Sequence, residues 1–243
     1  MDGWRWARPV LWSVAFCLTT AGLVAVPEAR AAEPVRSIDI YVEPFYRSAK
    51  AAGEAPEVHT GKPYAALLAS TDRKDILAAR DRINADPSLV TPMTLMVLAI
   101  RLYDTGERDE AVLWFYIAKE RYIALEAVAA EGAPMLQQAA EAVRAFATLA
   151  GPVINGYAFC DLARQAELHA KAIDWVEQNP YGAVFLKSIP SRQKDRKAAL
   201  AAAIADARAS AEKERAYLAD PGNAASFKAT RKQNGADEMF CWK

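Results

Sequence analysis

Four glutamates on one predicted helix have the side-chain chemistry needed to break a bond. They are Glu107, Glu110, Glu120 and Glu126. Two carboxyl groups that face each other across a cleft can hydrolyse a glycosidic bond when one is protonated and the other is ionised. A pair drawn from the two ends of this group would therefore suit a cell-wall hydrolase. The same acids alternate with lysine and arginine, which is equally typical of a solvated helix face.

Histidine and cysteine chemistry is limited by the small number of these residues. The sequence has 2 His and 3 Cys, which leaves little material for a metal centre or a histidine-based catalytic triad. His169 falls in the apolar stripe of its helix and is expected in the core or at a helix interface, whereas His59 lies in a loop. The favoured interpretation therefore contains no metal site, no cofactor and no catalytic group.

Aromatic side chains form a second candidate site, for binding and not for catalysis. The predicted partner-binding residues are Trp114, Tyr116, Tyr122 and Trp175. These positions cannot all point into one seam of their helices, so some of them are expected to reach the wall of a groove. Exposed aromatic side chains anchor partner helices and extended peptides. Filling the core is the alternative role for the same residues.

Two cysteines in the mature chain predict a disulfide. If a leader containing Cys17 is removed, Cys160 and Cys241 remain, and a thiol pair tends to oxidise outside the cytoplasm. The bond would close a loop of about 80 residues and tie the C-terminal tail to the body. A redox-active pair normally has the close Cys-x-x-Cys spacing, which is absent here. We also expect the apolar end of the tail, residues 239–242, to dock against the body.

The beginning of the sequence has the features of an export signal. Arg5 and Arg8 give a positive start, and residues 10–26 form a charge-free apolar run. Small residues follow at 29–31, where a signal peptidase would cut. The sequence therefore predicts a signal peptide over 1–31 and a periplasmic or secreted bacterial protein. An uncleaved membrane anchor is the alternative, because the apolar run is close to the shortest length that spans a bilayer.

The candidate residues are positioned almost entirely by predicted helices. Residues 32–63 are expected to form an extended arm and loop, because Ile38, Ile40 and Val42 alternate with polar residues. From residue 64 onward, apolar residues recur at three- and four-residue spacing, which predicts helices. The predicted helices cover residues 64–69, 72–84, 93–104, 108–130, 134–150, 162–179 and 191–219.

Three local signals refine this series of helices. Asn155-Gly156 predicts a turn between two helices. Ser191 is the predicted N-cap of the last long helix. Residues 111–118 are apolar or aromatic on every face, which places their helix at the centre of the fold.

The segment over residues 95–125 resembles a tetratricopeptide-type helical hairpin. The positions that carry the resemblance are Ala99, Gly106, Ala111, Phe115 and Ala118. The family places small residues where two antiparallel helices approach, a glycine near the turn, and an aromatic residue between successive hairpins. The resemblance implies a protein-binding scaffold. Because no second unit aligns at the family's period, we predict an irregular bundle or short superhelix of antiparallel helical hairpins.

Composition and charge exclude several functional classes. The 243 residues include 30 basic and 30 acidic side chains, so no bulk charge indicates nucleic acid or an anionic membrane as the partner. Apolar residues make up 53% and charged residues 25% of the chain, which is typical of a globular protein. Residues 64–243 contain no Pro/Gly/Ser-rich linker, and we expect them to form one all-α domain.

Together these features predict an exported, non-enzymatic helical binding protein of a bacterial envelope. It would act as an adaptor, an assembly factor or a toxin-neutralising partner by presenting a groove between helical hairpins to a protein or peptide. Two alternatives remain open. One is a cell-wall hydrolase with paired carboxylates, and the other is a carrier of apolar small molecules or lipids.

Overall fold

The computed structural model describes residues 33–51, 53–130 and 134–242. The predicted leader over 1–31 lies outside these residues. Helices dominate the described chain, together with one small sheet near its beginning, so the predicted all-α class is confirmed. No helix in these ranges combines the length and the apolar character that a membrane span requires.

The N-terminal arm is extended, as predicted, and it folds into a small antiparallel sheet. The strands are β1 (Tyr41–Val42), β2 (Tyr46–Arg47) and β3 (Glu57–Val58), paired in the order β1-β2-β3. The arm is attached to the helices by its inward-facing apolar side chains and by the Ile38 amide, which donates to Asp104 Oδ1 at 2.8 Å. The sheet therefore covers one side of the helical core.

Ten helices follow in the part of the chain that the structure describes. They are α1 (Lys62–Leu68), α2 (Arg73–Ala85), α3 (Pro92–Asp104), α4 (Arg108–Val128), α5 (Pro134–Leu149), α6 (Gly151–Ala158), α7 (Leu162–Gln178), α8 (Arg196–Ala219), α9 (Pro221–Gln233) and α10 (Ala236–Phe240). A 3₁₀ helix over Gly182–Phe185 lies between α7 and α8. Short polar side chains cap the starts of several helices, because they accept hydrogen bonds from free backbone amides there. Asp72 caps α2, Thr91 caps α3 and Asp161 caps α7.

Helix α4 lies at the centre of the fold, as its apolar sequence predicts. It packs against α3, α5, α6, α7 and α8. The turn from α3 into α4 depends on Gly106, which has a φ of +89° and therefore a conformation that other residues rarely adopt. The small residues Ala99, Ala111 and Ala118 are fully buried, so α3 and α4 can pack closely as an antiparallel hairpin.

The predicted turn at Asn155-Gly156 is wrong, because both residues lie inside helix α6. The glycine is needed for packing and not for a turn. A Cβ atom added to Gly156 would lie 2.6 Å from the ring of Phe240 in helix α10. Gly156 therefore allows the C-terminal segment to lie directly on α6, a tertiary contact that a local pattern does not reveal.

The predicted N-cap of the last long helix is also corrected. Helix α8 begins at Arg196, and Asp195 caps it by accepting from the amides of Lys197 and Ala198. Ser191 instead forms an isolated β-bridge with Ala129, and its hydroxyl donates to the carbonyl of Val128 at 2.8 Å. Residues 191–192 thus pair with the end of α4, and α8 begins only after them.

The C-terminal tail docks on the body, and the predicted disulfide is present. Cys160 and Cys241 are bonded, with their Cα atoms 5.5 Å apart. Arg108 donates to the carbonyls of Phe240 and Trp242, and its guanidinium lies 3.9 Å from the centre of a Trp242 ring. These contacts fix the last apolar residues against α4 and α6.

Candidate functional site: the groove between α7 and α8

Helix α8 is the least covered long helix of the fold. It has 24 residues, of which only Ala203 and Ile204 are buried. Its alanine-rich sequence makes the helix favourable on its own, while α4 and α7 cover a single stripe of it. The exposed side of the seam between α7 and α8 forms a groove with an apolar half and a polar half.

The apolar half is a cavity of about 540 Å³. Its apolar lining comes mainly from Val176 on α7, Leu200 and Ile204 on α8, and Phe185 in the 3₁₀ helix. Phe185 remains 40% exposed and adds an accessible aromatic surface to this half. Lys197 stands at the edge of this half.

The polar half is a cavity of about 290 Å³ farther along the same seam. Gln165 and His169 reach it from α7, and Glu214 reaches it from α8. Gln165 and His169 are themselves buried, with 3% and 6% of their surfaces exposed. This half therefore places polar side chains, held rigidly by the core, at the surface of a cavity.

Arg208 joins the two halves of the groove. It lines both cavities, and its guanidinium donates to the carboxylates of Asp174 and Glu177 on α7. The two cavities therefore meet at Arg208, and an exposed ion-pair cluster bridges α7 and α8 between them. Such exposed pairs contribute little to stability and can rearrange when a ligand binds.

A buried hydrogen-bonded pair lies beneath the polar half, on the side of the core. His169 Nε2 lies 3.1 Å from Glu120 Oε1 on α4, and both side chains are buried. Lys119 Nζ also approaches Glu120 Oε1, at 3.5 Å. Burial alone would raise the pKa of Glu120, but the hydrogen bond from His169 and the charge of Lys119 more than offset it, so this pKa lies below its ordinary value. Glu120 is therefore ionised at neutral pH.

A network of side-chain hydrogen bonds lies beside this pair. Gln165 Nε2 donates to Tyr116 Oη at 3.2 Å and to Glu214 Oε1 at 2.9 Å. Tyr116 donates in turn to Asn155 Oδ1 at 3.2 Å. Burial raises the pKa of Tyr116 well above its ordinary value, so the phenol stays protonated and keeps its role as donor.

The Glu120 carboxylate is expected to make stability depend on pH. Because its pKa is lowered on folding, its contribution is complete above the ordinary value of 4.5 and is lost as the pH falls through the lower folded value. We expect Glu120→Gln, which keeps the shape but removes the charge, to lower the free energy of unfolding by about 1–2 kcal/mol at pH 7. The difference from the parent protein should be smaller at pH 3 than at pH 7, as measured by urea unfolding at both pH values.

The matched control for this measurement is Glu126→Gln, since Glu126 is an exposed glutamate on the same helix. It should change stability by less than about 0.5 kcal/mol at either pH. An equal loss for Glu120→Gln at pH 7 and pH 3 would show that packing, and not the charge, accounts for the effect.

None of the four aromatic residues predicted to bind a partner lines either cavity. Trp114 and Tyr116 are only 2% and 4% exposed, so they fill the core and do not reach a groove wall. Trp175 is partly exposed and stacks edge-on against Trp114, with ring centres 5.4 Å apart. Tyr122 is partly buried on α4. Their helices turn these rings inward, so the groove wall is made by aliphatic residues and Phe185 instead.

The glutamates considered for hydrolysis are not brought together as a pair. Glu107 is bound by Arg73, and Glu110 accepts from the indole of Trp114 at 3.2 Å. They are at least ten residues from Glu120 on the same helix, which is a rise of about 15 Å. Glycosidase carboxylates lie roughly 5–10 Å apart. The structure therefore does not assemble the predicted catalytic pair from these residues.

The described residues offer no cluster of ligating side chains for a metal ion. In residues 33–51, 53–130 and 134–242, no three His, Cys, Asp or Glu side chains are grouped so that they could hold a metal ion. His169, which sequence reasoning placed at a helix interface, is found there with a single carboxylate partner. The apolar stripe of α7, which contains His169, was the sequence pattern that lies nearest to the groove.

Comparison with known proteins gives one informative relative. A protein of Haemophilus influenzae, described as uncharacterized, is 31% identical to this chain over 223 residues, which cover 92% of this chain and 86% of that protein. No family model and no solved structure matches the chain. The match extends over nearly the whole helical region and is not confined to one motif. The chain belongs to the same protein family as this Haemophilus influenzae protein.

Proposed function

We propose that this protein is an exported, non-enzymatic binding module of a bacterial envelope, and that it binds an amphipathic helix of a partner protein in the groove between α7 and α8. The observation that carries the proposal is the exposed face of α8 beside an apolar cavity of about 540 Å³. An amphipathic helix of a partner binds by laying its apolar face into an apolar groove of this kind.

The dimensions of the groove suit a helix. Its lining on α8 extends from Lys197 to Arg215, a distance of about 27 Å along the helix axis. Ala201 and Ala205 line the apolar half, and small residues allow the backbone of a third helix to approach closely. A partner helix of about 18 residues would therefore fill the whole groove.

The two ends of the groove carry opposite unpaired charges. Lys197 lines the apolar half and forms no ion pair with any described residue. Glu214 lines the polar half, and its hydrogen-bond partner is the neutral amide of Gln165. Charge complementarity therefore favours a partner helix with an acidic residue at one end and a basic residue at the other.

Two further observations support an envelope protein that binds other proteins. The Cys160–Cys241 disulfide is typical of proteins outside the cytoplasm, in agreement with the predicted leader. The α3–α4 hairpin has the small buried residues of the tetratricopeptide-type pattern, and proteins with that pattern are binding scaffolds. Both observations fit an adaptor, an assembly factor or a toxin-neutralising partner.

The groove can be tested by site-specific photo-cross-linking in the intact chain. We expect a photoreactive residue at Ala201, in the groove, to give one discrete adduct in envelope extracts. The same residue at Ala209, which is exposed on α8 but outside the groove, should give none. Adding Ala205→Arg should reduce the Ala201 adduct at least tenfold, because the arginine would occupy the space of the partner helix.

Mass spectrometry of the adduct should map the cross-link to an amphipathic helix with apolar residues at three- and four-residue spacing. Equal cross-linking from Ala201 and Ala209, or no effect of Ala205→Arg, would contradict the proposal. A small apolar molecule retained in native mass spectrometry, without a protein adduct, would instead favour the carrier alternative.

A further inference from the structure

We infer that the polar half of the groove recognises a primary ammonium group, and that this group belongs to a lysine side chain of the docked partner helix. The assignment of this ammonium group to a partner helix rests on the proposed function. The recognition itself is argued from the cavity formed by Gln165, His169 and Glu214.

Gln165 presents an acceptor to the cavity. Both protons of its amide nitrogen are engaged, one by Tyr116 Oη and one by Glu214 Oε1. An amide has two donors on its nitrogen and an acceptor on its oxygen. The oxygen is thus the group of Gln165 that remains available for a ligand, and exchanging it with the nitrogen would break the hydrogen bond to the Glu214 carboxylate.

His169 also presents an acceptor. Its Nε2 atom lies 3.1 Å from the carboxylate of Glu120, which can only accept a hydrogen bond while it is ionised. Nε2 therefore carries a proton, and in the tautomer that this hydrogen bond selects Nδ1 has the free lone pair. Nδ1 has no hydrogen-bond partner among the described residues and is not a buried unsatisfied atom, so it is available from the cavity that His169 lines.

Glu214 adds a negative charge to these two neutral acceptors. The arginines that line the same cavity are already neutralised. Arg208 pairs with Asp174 and Glu177, and Arg215 pairs with Glu212. Glu214 is therefore the lining carboxylate without a cationic partner, and the local charge favours a cation in the cavity.

The shape of the cavity suits a lysine side chain. Three acceptors, namely an amide oxygen, an imidazole nitrogen and a carboxylate, match the three donors of an ammonium group. The rest of the wall includes Ala166, Ala170 and Ile173, against which an aliphatic stem can pack while its charged end is bound. A volume of about 290 Å³ leaves room for one such side chain.

The recognition can be tested with n-butylammonium chloride as a probe of the lysine head group. Nuclear magnetic resonance of the full mature chain should show saturable shifts of the Gln165 amide and His169 ring signals, and sodium n-butyrate should cause none. Glu214→Gln should weaken n-butylammonium binding at least tenfold. Glu167→Gln, an equal charge change at an exposed site on α7 outside the cavity, should leave binding within twofold of the parent protein.

The source of the ammonium group is tested by competition. Saturating n-butylammonium should reduce the Ala201 photo-cross-link at least fivefold, whereas sodium chloride at the same concentration should not. Absence of n-butylammonium binding, or equal binding by Glu214→Gln, would overturn the ammonium site even if the cross-link persists. Binding of the probe without competition would overturn the lysine source. If Ala201 gave no cross-link while n-butylammonium still bound, only the proposed function would be contradicted.

Discussion

Replacing Arg121 with methionine is expected to lower the free energy of unfolding by about 3–5 kcal/mol. Arg121 is fully buried on α4, and its guanidinium donates to the carbonyls of Pro87, Val90 and Asn179. Burial lowers the pKa of Arg121 to about 10, so it remains protonated at neutral pH and its hydrogen bonds are charge-assisted. Methionine would fill the volume but leave three carbonyl groups without this donor.

The measurement is urea unfolding of Arg121→Met beside Arg73→Met. Arg73 is an exposed arginine whose ion pair with Glu107 lies at the surface, so its replacement should cost less than about 1 kcal/mol. Arg121→Lys should also be destabilising by more than about 2 kcal/mol, because a single ammonium group cannot reach three separate carbonyls in the geometry of a guanidinium fork. If Arg121→Met is as stable as the parent protein, the cost of desolvating the buried charge is as large as the free energy that its hydrogen bonds contribute.

Arg121 also illustrates which parts of the fold follow from local sequence. The cap at Thr91, the proline at position 92 and the glycine at 106 each act on neighbouring residues, and the observed α3 therefore begins and ends where it is predicted. Arg121 directly follows Lys119 and Glu120 in α4, and this run of charged residues is typical of a solvated helix face. Its three partners are more than 30 residues away, so only the tertiary fold reveals its role.

The candidate site was predictable only in part for the same reason. The apolar stripe of α7 indicated that His169 faces a neighbouring helix, and this is confirmed by its contact with Glu120. The direction of an aromatic side chain on a helix covered from several sides was not predictable. Trp114 and Tyr116 point inward because α4 is surrounded by other helices, whereas the alanine-rich α8, with little to mark it in the sequence, forms one wall of the groove.

Removing the disulfide is expected to lower the free energy of unfolding by about 4 kcal/mol on the chain-entropy model. The bond links residues 81 positions apart, so it restricts a large part of the unfolded chain. Cys160 is exposed and Cys241 is partly exposed, and serine at both positions should therefore disturb little in the folded state. The expected loss arises in the unfolded ensemble and should appear as a lower urea midpoint for the Cys160→Ser, Cys241→Ser double variant.

The folded tail should remain docked in this variant, since Arg231 still donates to the carbonyl of Gly156 at 3.0 Å and to Asp237 at 2.8 Å. The control is reduction of the parent protein, which should lower its urea midpoint to that of the double variant. The double variant itself should not respond to the reductant. Titratable thiols at Cys160 and Cys241 in the native protein, or equal midpoints for parent and variant without reductant, would contradict the prediction. Because the bond acts mainly on the unfolded chain, the stability should change while Ala201 photo-cross-linking in the α7–α8 groove does not.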